Sequence, residues 1–421
     1  MRIVLATWGS FGDLHPFLAI GGALRDAGHA VVLATCPLYR AKVESEHLEF
    51  APLRPDLPPP DEAAGTMARL MDGRKGPRNV LAGTVLPGLR QMTEDLEAAC
   101  VGADRLVFHP IVLPAPHLAT ARGIRFACAT LQPILFLSAT DPCAPPGVPA
   151  LVESPFPPPV VMRAVHRQVK RHTRHWFGEV ARLRRDLGLP PGEHPLFEAP
   201  FTGEATLALW SRTLGAPQPD WPEGTVLTGF AFHDRLGSGH DTLPSALEAF
   251  LSDGEPPICF TLGTSAVLDP GGFWDAAATA TTRLGRRAIL LTGVHGNAFR
   301  PDPTARHLLA VPYAPHSAVM PRCAAVVHQG GVGTTGQALR AGRPQVVVPW
   351  SHDQPDHARR IVRAGIGVHL PRHRVDPARL ETVLRRVLAD AGMAQRARGV
   401  AEIVRSEDAL GAVVGHPFLK G

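Results

Sequence analysis

Short apolar runs alternate with amphipathic stretches from the first residue of the chain onward. The runs predict strands at residues 2–7, 30–35, 104–109 and 125–130, and a helix is predicted between the first two, at residues 17–27. Strands that are apolar along their whole length and are separated by helices are typical of a parallel sheet covered on both faces. The pattern therefore predicts an α/β fold.

The alternation stops in the middle of the chain and then restarts. Residues 217–241 are rich in proline and glycine, which is typical of a linker. Ligands of doubly wound sheets bind outside the carboxyl ends of the strands, so two such domains would face each other across a cleft. Further strands are predicted at 258–262, 288–292, 308–311, 324–328 and 345–348. We predict a first doubly wound domain at 1–220, a linker at 221–241, a second doubly wound domain at 242–400, and a C-terminal segment at 401–421 that packs back toward the first.

Composition excludes several classes of protein. A chain of 421 residues exceeds one ordinary core, and 45% hydrophobic with 19% charged residues excludes a disordered chain. Six cysteines without C-x-x-C spacing, a first strand that directly follows Met1, and no apolar run long enough for a bilayer predict a cytoplasmic protein. The net charge of +5 suits an anionic ligand. No nucleic-acid-binding motif accompanies that charge, so nucleic acid is not an expected partner.

A glycine-rich turn joins the strand at 324–328 to a helix. Its sequence, from His328 to Thr334, carries glycine at 330, 331 and 333. A turn of this kind before a helix presents unpaired N–H groups and the positive end of the helix dipole to a phosphate. Asp353 and Gln354 follow the next strand and suit sugar hydroxyls. Together these residues indicate a nucleotide-sugar site.

A second turn, from Gly9 to Pro16, follows the first strand. It lacks the full G-x-G-x-x-G pattern, and no acidic residue ends the second strand at Thr35, so a nicotinamide cofactor is not expected. Asp13 lies in this turn at the predicted cleft and is a candidate general base for a hydroxyl. The alternative is that Asp13 caps a helix that starts at Pro16, and base rates for Asp alone favour the cap.

Three further positions leave two interpretations open. Thr264 and Ser265 follow the strand at 258–262 and either donate to a phosphate or begin a helix. Tyr313, with the proline-bounded loop that follows it, either stacks on a nucleobase or packs within the loop.

The sequence resembles the family 1 inverting glycosyltransferases with two Rossmann-like domains, the GT-B arrangement. The segment from Tyr313 to Gln354 resembles the donor-binding signature of that family, and the segment 9–16 resembles the first turn of a bacterial subgroup. The subgroup includes sterol, glycopeptide-antibiotic and rhamnolipid glycosyltransferases. The resemblance implies transfer of a hexose or deoxyhexose, of the glucose or rhamnose type, from a UDP- or dTDP-sugar to a lipophilic hydroxyl acceptor, without a metal cofactor.

The resemblance also assigns roles to individual residues. Asp13 would be the general base, and His15 and His109 would lie in the acceptor pocket. Gly336 stands where plant relatives carry a Glu for the ribose hydroxyls. Gln337 is a candidate substitute, and a deoxyribose donor, which needs fewer partners, also stays open. A sugar-nucleotide epimerase of similar fold and a non-catalytic binding partner are the alternatives. The donor would be bound by Thr264, Ser265, Tyr313, His316, His328, Gly331, Gly333, Thr334, Asp353 and Gln354.

A basic helix is predicted within residues 162–187. Arg163, Arg167 and Arg171 recur at helical spacing opposite Met162 and Val165. Such faces are most often solvated charges above a core stripe. The sharper hypothesis is that residues 162–177 contact an anionic lipid surface, so that the enzyme lies peripherally at the inner membrane surface.

Overall fold

Two parallel sheets, each covered by helices, form the protein. The computed structural model describes residues 1–58, 64–233, 243–293 and 299–420. The first sheet contains β1 (Arg2–Ala6), β2 (Ala30–Thr35), β3 (Glu49–Pro52), β4 (Arg105–Phe108), β5 (Arg125–Thr130), β6 (Ala205–Ala208) and β7 (Thr225–Leu227). The second contains β8 (Ile258–Thr261), β9 (Ala288–Leu291), β10 (Leu308–Val311), β11 (Ala325–His328), β12 (Gln345–Val347) and β13 (Gly367–His369).

The order of the strands determines where a ligand can bind. The first sheet runs β3-β2-β1-β4-β5-β6-β7 and the second runs β10-β9-β8-β11-β12-β13, with parallel pairing throughout the described strands. The order reverses beside β1 in the first sheet and beside β8 in the second. The crevice at such a reversal, outside the carboxyl ends of the strands, is where open α/β sheets bind ligands.

The described helices alternate with these strands. Those of the first half are α1 (Phe11–Asp26), α2 (Arg40–Ser45), α3 (Ala64–Leu70), α4 (Gly76–Val80), α5 (Leu89–Ala99), α6 (Ala115–Arg122), α7 (Pro159–Thr173) and α8 (Gly178–Asp186). Those of the second half are α9 (Ser245–Ser252), α10 (Phe273–Arg283), α11 (His316–Val319), α12 (Val332–Ala341), α13 (Gln354–Arg363), α14 (Pro377–Ala389), α15 (Ala391–Ser406) and α16 (Ala409–Val414).

The end of the chain packs on the first sheet's core. Val413, Phe418 and Leu419 are buried there, and α16 contacts α1. Arg105 on β4 donates from Nε to the carbonyl of Phe418 at 3.0 Å. The last residues therefore belong to the same apolar core as β1 and β4.

Three expectations differ from the structure. Strand β7 lies within the predicted linker because its residues pair with β6, and residues 234–241 of that linker lie outside the described residues. The domain boundaries at 220, 241 and 400 otherwise stay predictions. The single helix predicted at 162–187 is two helices separated by a 3₁₀ turn at Arg174–Phe177. Thr173 is the last residue of α7, and its hydroxyl donates to the carbonyl of Val169 at 2.7 Å.

The third difference concerns the helix after β1. It begins at Phe11 rather than near Pro16, because Ser10 is its N-cap and Asp13 completes a capping box three residues later. Pro16 lies inside the helix. The first turn of α1 therefore includes the whole segment in which the sequence placed the candidate base.

Candidate active site

The carboxyl ends of both sheets line one cavity of about 370 Å³. The turn after β1 and His109 after β4 contribute the first-domain side, and the segments after β8, β10, β11 and β12 contribute the other. Every residue that the sequence assigned to the site lines this cavity, apart from His328. Among the described residues, no Lys or Arg lines it.

Asp13 lies at the third position of α1 and lines the cavity. Its Oδ2 accepts from the backbone N–H of Ser10 at 2.8 Å and from the hydroxyl of Ser10 at 3.2 Å. Asp13 is therefore the third helical residue of a capping box, not the cap of a helix that starts at Pro16, and it also lines the cavity. Gly9 makes room for it: its φ is +140°, and a Cβ there would lie 2.3 Å from Oδ2 of Asp13.

The electrostatics of Asp13 suit a proton acceptor. Burial raises the pKa of Asp13 to about 6, although the hydrogen bonds from Ser10 act in the opposite direction. The negative charge of Asp353 raises this pKa further. An ordinary Asp has a pKa near 3.9, so Asp13 is a much stronger base that is still ionised at neutral pH.

Two neutral imidazoles lie on the first-domain side of the cavity. Burial lowers the pKa of His15 and of His109 to about 3. The Nδ1 atom of His109 accepts from the N–H of Ile111 at 3.3 Å, which leaves the proton on Nε2. In the described chain, Nε2 of His109 and Nε2 of His15 are buried without a hydrogen-bond partner. Both nitrogens are therefore left for a polar atom of a ligand.

The glycine-rich turn opens α12 toward the cavity. Gly331 is the N-cap residue and supplies no side-chain cap, so the first-turn N–H groups, including those of Gly333 and Thr334, are left for an anion. Thr264 and Ser265 line the same cavity next to Gly263, so the structure brings both hydroxyl residues near the turn. Helix termini of this kind bind phosphate without a cationic side chain.

His328 lies beneath the glycine-rich turn and does not line the cavity. Its Nε2 lies 2.9 Å from Oε1 of Gln345, and its Nδ1 accepts from the N–H of Gly330 at 3.1 Å. The side chain is completely buried, and burial lowers its pKa to about 4. This imidazole is neutral, has both nitrogens engaged and fixes the turn from beneath, and the phosphate contact that the resemblance implied for His328 stays a prediction.

Gln329 occupies the position at the cavity instead. Its Nε2 lies 3.4 Å from Oγ1 of Thr334, and its Oε1 is buried without a partner among the described residues. Glycine at 263 and at 331 makes room for this amide, because a Cβ at either position would lie within 3 Å of Nε2. Gln329 could not be singled out from the sequence on chemical grounds, because the glycines around it carry the pattern.

Asp353 and Gln354 begin α13 at the cavity. Oε1 of Gln354 accepts from the N–H groups of Trp350 and Ser351, at 2.7 and 3.1 Å, which fixes the loop. Asp353 is the N-cap residue, yet its carboxylate makes no cap hydrogen bond. The carboxylate lies 3.5 Å from Nδ1 of His357 and lines the cavity, where it can accept from hydroxyl groups.

The remaining predicted residues lie beside the glycine-rich turn. Tyr313 and His316 both line the cavity, next to Gln337. A Cβ at Gly336 would lie 3.0 Å from the ring of Phe230, so a side chain at this position would require that ring to shift. Gln337 and Gln132 each carry a buried Oε1 without a partner in the described chain; the sequence offered Gln337 as a substitute for the ribose-binding Glu, whereas Gln132 was not predicted.

The described residues lack a cluster of metal-ligating side chains and an apolar helix of membrane-spanning length. They contain no group of three or more His, Cys, Asp or Glu residues placed to bind a metal ion. None of their helices combines the length and apolar character that crossing a membrane requires.

A carboxylate of one Rossmann-like domain and a glycine-rich helix N-terminus of the other line one cleft, which is the arrangement expected of a glycosyltransferase of the GT-B class. Residues 3–124 match the N-terminal domain of glycosyltransferase family 28, and residues 303–415 match the C-terminal domain of proteins like erythromycin biosynthesis protein CIII. An O-mycaminosyltylonolide 6-deoxyallosyltransferase from Streptomyces fradiae is 33% identical over 97% of this chain and 94% of its own length. The chain therefore belongs to the glycosyltransferase family that these two domains and this relative represent, and it is a glycosyltransferase.

More distant relatives agree with this assignment. Sterol 3-beta-glucosyltransferase UGT80B1 from Arabidopsis thaliana is 26% identical over 98% of this chain and 67% of its own length. The solved structure of the spinosyn rhamnosyltransferase SpnG complexed with thymidine diphosphate superposes with a TM-score of 0.70, at 21% identity over 99% of each chain. That likeness confirms the GT-B fold.

The close approach of Gly9 to Asp13 gives a first prediction. We expect Gly9→Ala to reduce sugar transfer by about a hundredfold, because the new methyl group must displace the Asp13 carboxylate. The control is Gly22→Ala, at a half-buried position within α1 where a Cβ meets nothing within 4 Å. Steady-state kinetics with both variants check this, and equal activity of the two would contradict the placement of Asp13.

Proposed function

We propose that this glycosyltransferase moves a hexose or deoxyhexose from a dTDP- or UDP-sugar to a hydroxyl of a lipophilic small molecule, with inversion and with Asp13 as general base. One observation carries the proposal. Asp13, with its raised pKa, lines the same cavity as the open N-terminus of α12 and the Asp353–Gln354 pair. A base, an anion site and side chains that can bind sugar hydroxyls then line one cavity.

The chemistry follows from this arrangement. The acceptor oxygen forms a bond to the anomeric carbon while its proton passes to Asp13. The bond from that carbon to the diphosphate oxygen breaks on the opposite face, and its electron pair leaves with the diphosphate. The N–H groups of α12 stabilise the charge that develops there. Attack and departure on opposite faces invert the anomeric configuration.

The first-domain wall of the cavity supports a lipophilic acceptor. Apolar side chains contribute much of that wall: Leu57, Met67, Leu70, Met71, Val80 and Ile111. The unpartnered Nε2 atoms of His15 and His109 lie among them and supply polar contacts for orientation. Relatives named for a macrolide-type and a sterol acceptor agree with this chemistry.

The second-domain wall favours a deoxyribose donor. Phe230 packs against Gly336, where plant relatives carry the Glu that binds ribose hydroxyls, so this chain has no carboxylate there. Structural neighbours were solved with thymidine diphosphate. We therefore place dTDP-sugars ahead of UDP-sugars, bound without a metal ion.

Nucleotide binding tests the donor assignment. We expect dTDP to raise the melting temperature more than UDP, and ADP and NAD to leave it unchanged, with the same shifts in excess EDTA. A ligand at a hundred times its dissociation constant adds about 2.7 kcal/mol, or a few degrees. A shift with NAD or ADP alone would reject the sugar-nucleotide site, and loss of the dTDP shift in EDTA would reject metal-independent binding.

Replacement of the base tests the reaction. We expect Asp13→Asn to lower kcat by about a hundredfold to ten-thousandfold, because no group remains to accept the proton. Affinity for dTDP should stay unchanged, since the phosphate contacts belong to α12. Kinetics and calorimetry on the same preparation check both points, and an unchanged kcat would reject Asp13 as the base.

The pH profile gives this test its control. Because the reaction needs the ionised carboxylate, kcat/KM of the wild type should fall about tenfold per pH unit below pH 6. The Ser10 hydroxyl bonds the carboxylate and lowers its pKa, so Ser10→Ala should move this limb to higher pH. Removal of the Asp353 charge should move it to lower pH. If the acidic limb of the pH profile moves in neither variant, it reports the titration of a group other than Asp13.

Helix α7 supports a peripheral position at the cytoplasmic membrane surface. Its sequence contains no acidic residue, and Arg163, Arg167 and Arg171 are exposed. Val160, Val161 and Val165 are 64%, 43% and 43% exposed, so Val165 does not pack into the core as the sequence had indicated. Exposed valines beside cations of one sign fit the interface of an anionic bilayer, where a lipophilic acceptor would also partition.

Vesicle binding tests this position. We expect the wild type to sediment with vesicles that mix phosphatidylcholine and phosphatidylglycerol, and to ignore pure phosphatidylcholine. Replacing Arg163, Arg167 and Arg171 by Gln should weaken binding about a hundredfold at low salt, at about 1 kcal/mol per cation. The control removes three exposed arginines from α14, at 379, 385 and 386. Equal effects of the two triple variants would show that net charge, not α7, drives binding.

A further inference from the structure

Helix α13 is anchored in the first domain by a buried ion-pair network. Nη1 of Arg360 lies 2.6 Å from Oδ2 of Asp141, and its Nε lies 2.7 Å from Oδ2 of Asp356. Arg360 and Asp356 are 3% and 1% exposed, and Asp141 is 7% exposed. Asp141 belongs to the loop after β5, so the network joins the two halves of the molecule.

The first-domain side of this network is itself fixed. The N–H of Asp141 donates to Oγ of Ser138 at 3.0 Å, and that hydroxyl donates to Asp220 at 2.7 Å. The N–H of Ala144 donates to Oδ1 of Asp356 at 3.0 Å. The loop therefore presents one carboxylate and one N–H group to α13 at set positions.

The residues just before α13 are also bound by the first domain. The hydroxyl of Ser351 donates to the carbonyl of Asp72 at 2.7 Å, and Nε2 of His352 lies 3.0 Å from the carbonyl of Leu70. Asp353 and Gln354 lie between these contacts and the ion-pair network. First-domain residues thus flank the pair on both sides.

A buried network of this kind is a poor source of stability. Burial of the charges costs free energy that their attraction only partly repays, and apolar residues of the same size are often as stable or more stable. What such a network provides is a defined position, because misplaced partners leave a buried charge unpaired. The network lies one to two helical turns beyond Asp353. It therefore fixes the position of the start of α13, which faces the cavity.

We propose that Asp141, Arg360 and Asp356 form a positioning network that fixes the first turn of α13, so that Asp353 and Gln354 orient the donor sugar toward the base on the opposite domain. The inference rests on the proposed function of these two residues. It adds that the first domain, which binds the acceptor, also sets the placement of the sugar.

The test compares a nucleotide with its sugar-bearing form. Asp141→Asn keeps the shape of the side chain and removes its charge. We expect dTDP to bind within about twofold of wild type, since the α12 turn and Tyr313 are untouched. A dTDP-hexose should lose the additional affinity that its sugar contributes, its KM should rise, and kcat should fall about tenfold to a hundredfold, as for misplaced reactants. Calorimetry and steady-state kinetics measure these values.

Two further variants complete the design. Arg385→Gln breaks an exposed pair with Glu381 on α14 and should change none of these values. Ser138→Ala loosens the Asp141 loop without altering a charge, and it replaces Asp141→Asn in the test if that variant does not fold. We expect it to cause a smaller loss of dTDP-hexose affinity and of kcat. A purely structural role would instead lower the melting temperature and leave KM, kcat and the sugar's contribution to affinity unchanged. Alternatively, it would reduce the binding of dTDP and of dTDP-hexose equally. Either result would overturn the proposal.

This design separates the network from the base. If Asp13→Asn keeps full activity, the base assignment fails, yet the affinity difference between dTDP and a dTDP-hexose still reports on α13. If wild type binds the hexose form no better than dTDP while the Asp141→Asn kinetics match wild type, the positioning role fails by itself.

Discussion

The site depends on one constraint: a carboxylate must be desolvated without losing its negative charge. Burial raises the pKa of Asp13, and two hydrogen bonds from Ser10 limit the rise so that the group stays ionised at neutral pH. Only a turn that brings the N-cap residue and the third helical residue together can supply both bonds. Gly9 is required beside it because any side chain there would occupy the space of the carboxylate. The base and the start of α1 are thus one structure.

The parallel order of both sheets brings this base opposite the anion site. In each domain the strand order reverses beside the first strand, so the turns after β1 and β8 open into the same cleft. The second domain offers backbone N–H groups there, and no Lys or Arg among the described residues lines the cavity. An anion site made of N–H groups has a fixed direction, whereas a flexible cation does not. Helix α12 therefore determines the direction in which the diphosphate leaves.

Much of this arrangement could be predicted from the sequence, for a physical reason that differs between fold and site. Apolar strands reveal themselves by burial on both faces, and β2, β5 and β10 begin and end where the pattern predicted. The predicted start of α1 is wrong because Pro16 lies inside the helix, in its second turn, and does not begin it. The hydrogen bond between His328 and Gln345 could not be predicted, because Gln345 lies on another strand. Periodicity cannot report such a contact, and Gln329 stayed unnoticed for the same reason.

The charges around the cavity also imply an order of events. Asp353 already raises the pKa of Asp13, and the histidines His15 and His109 are neutral, so neither of them compensates the repulsion. A bound nucleotide diphosphate would bring more negative charge toward the same carboxylate and raise its pKa further. Asp13 would then be a stronger base with the donor in place than without it. Placement of Asp353 by α13 and basicity of Asp13 are therefore linked, because the same charge that faces the sugar also acts on the base.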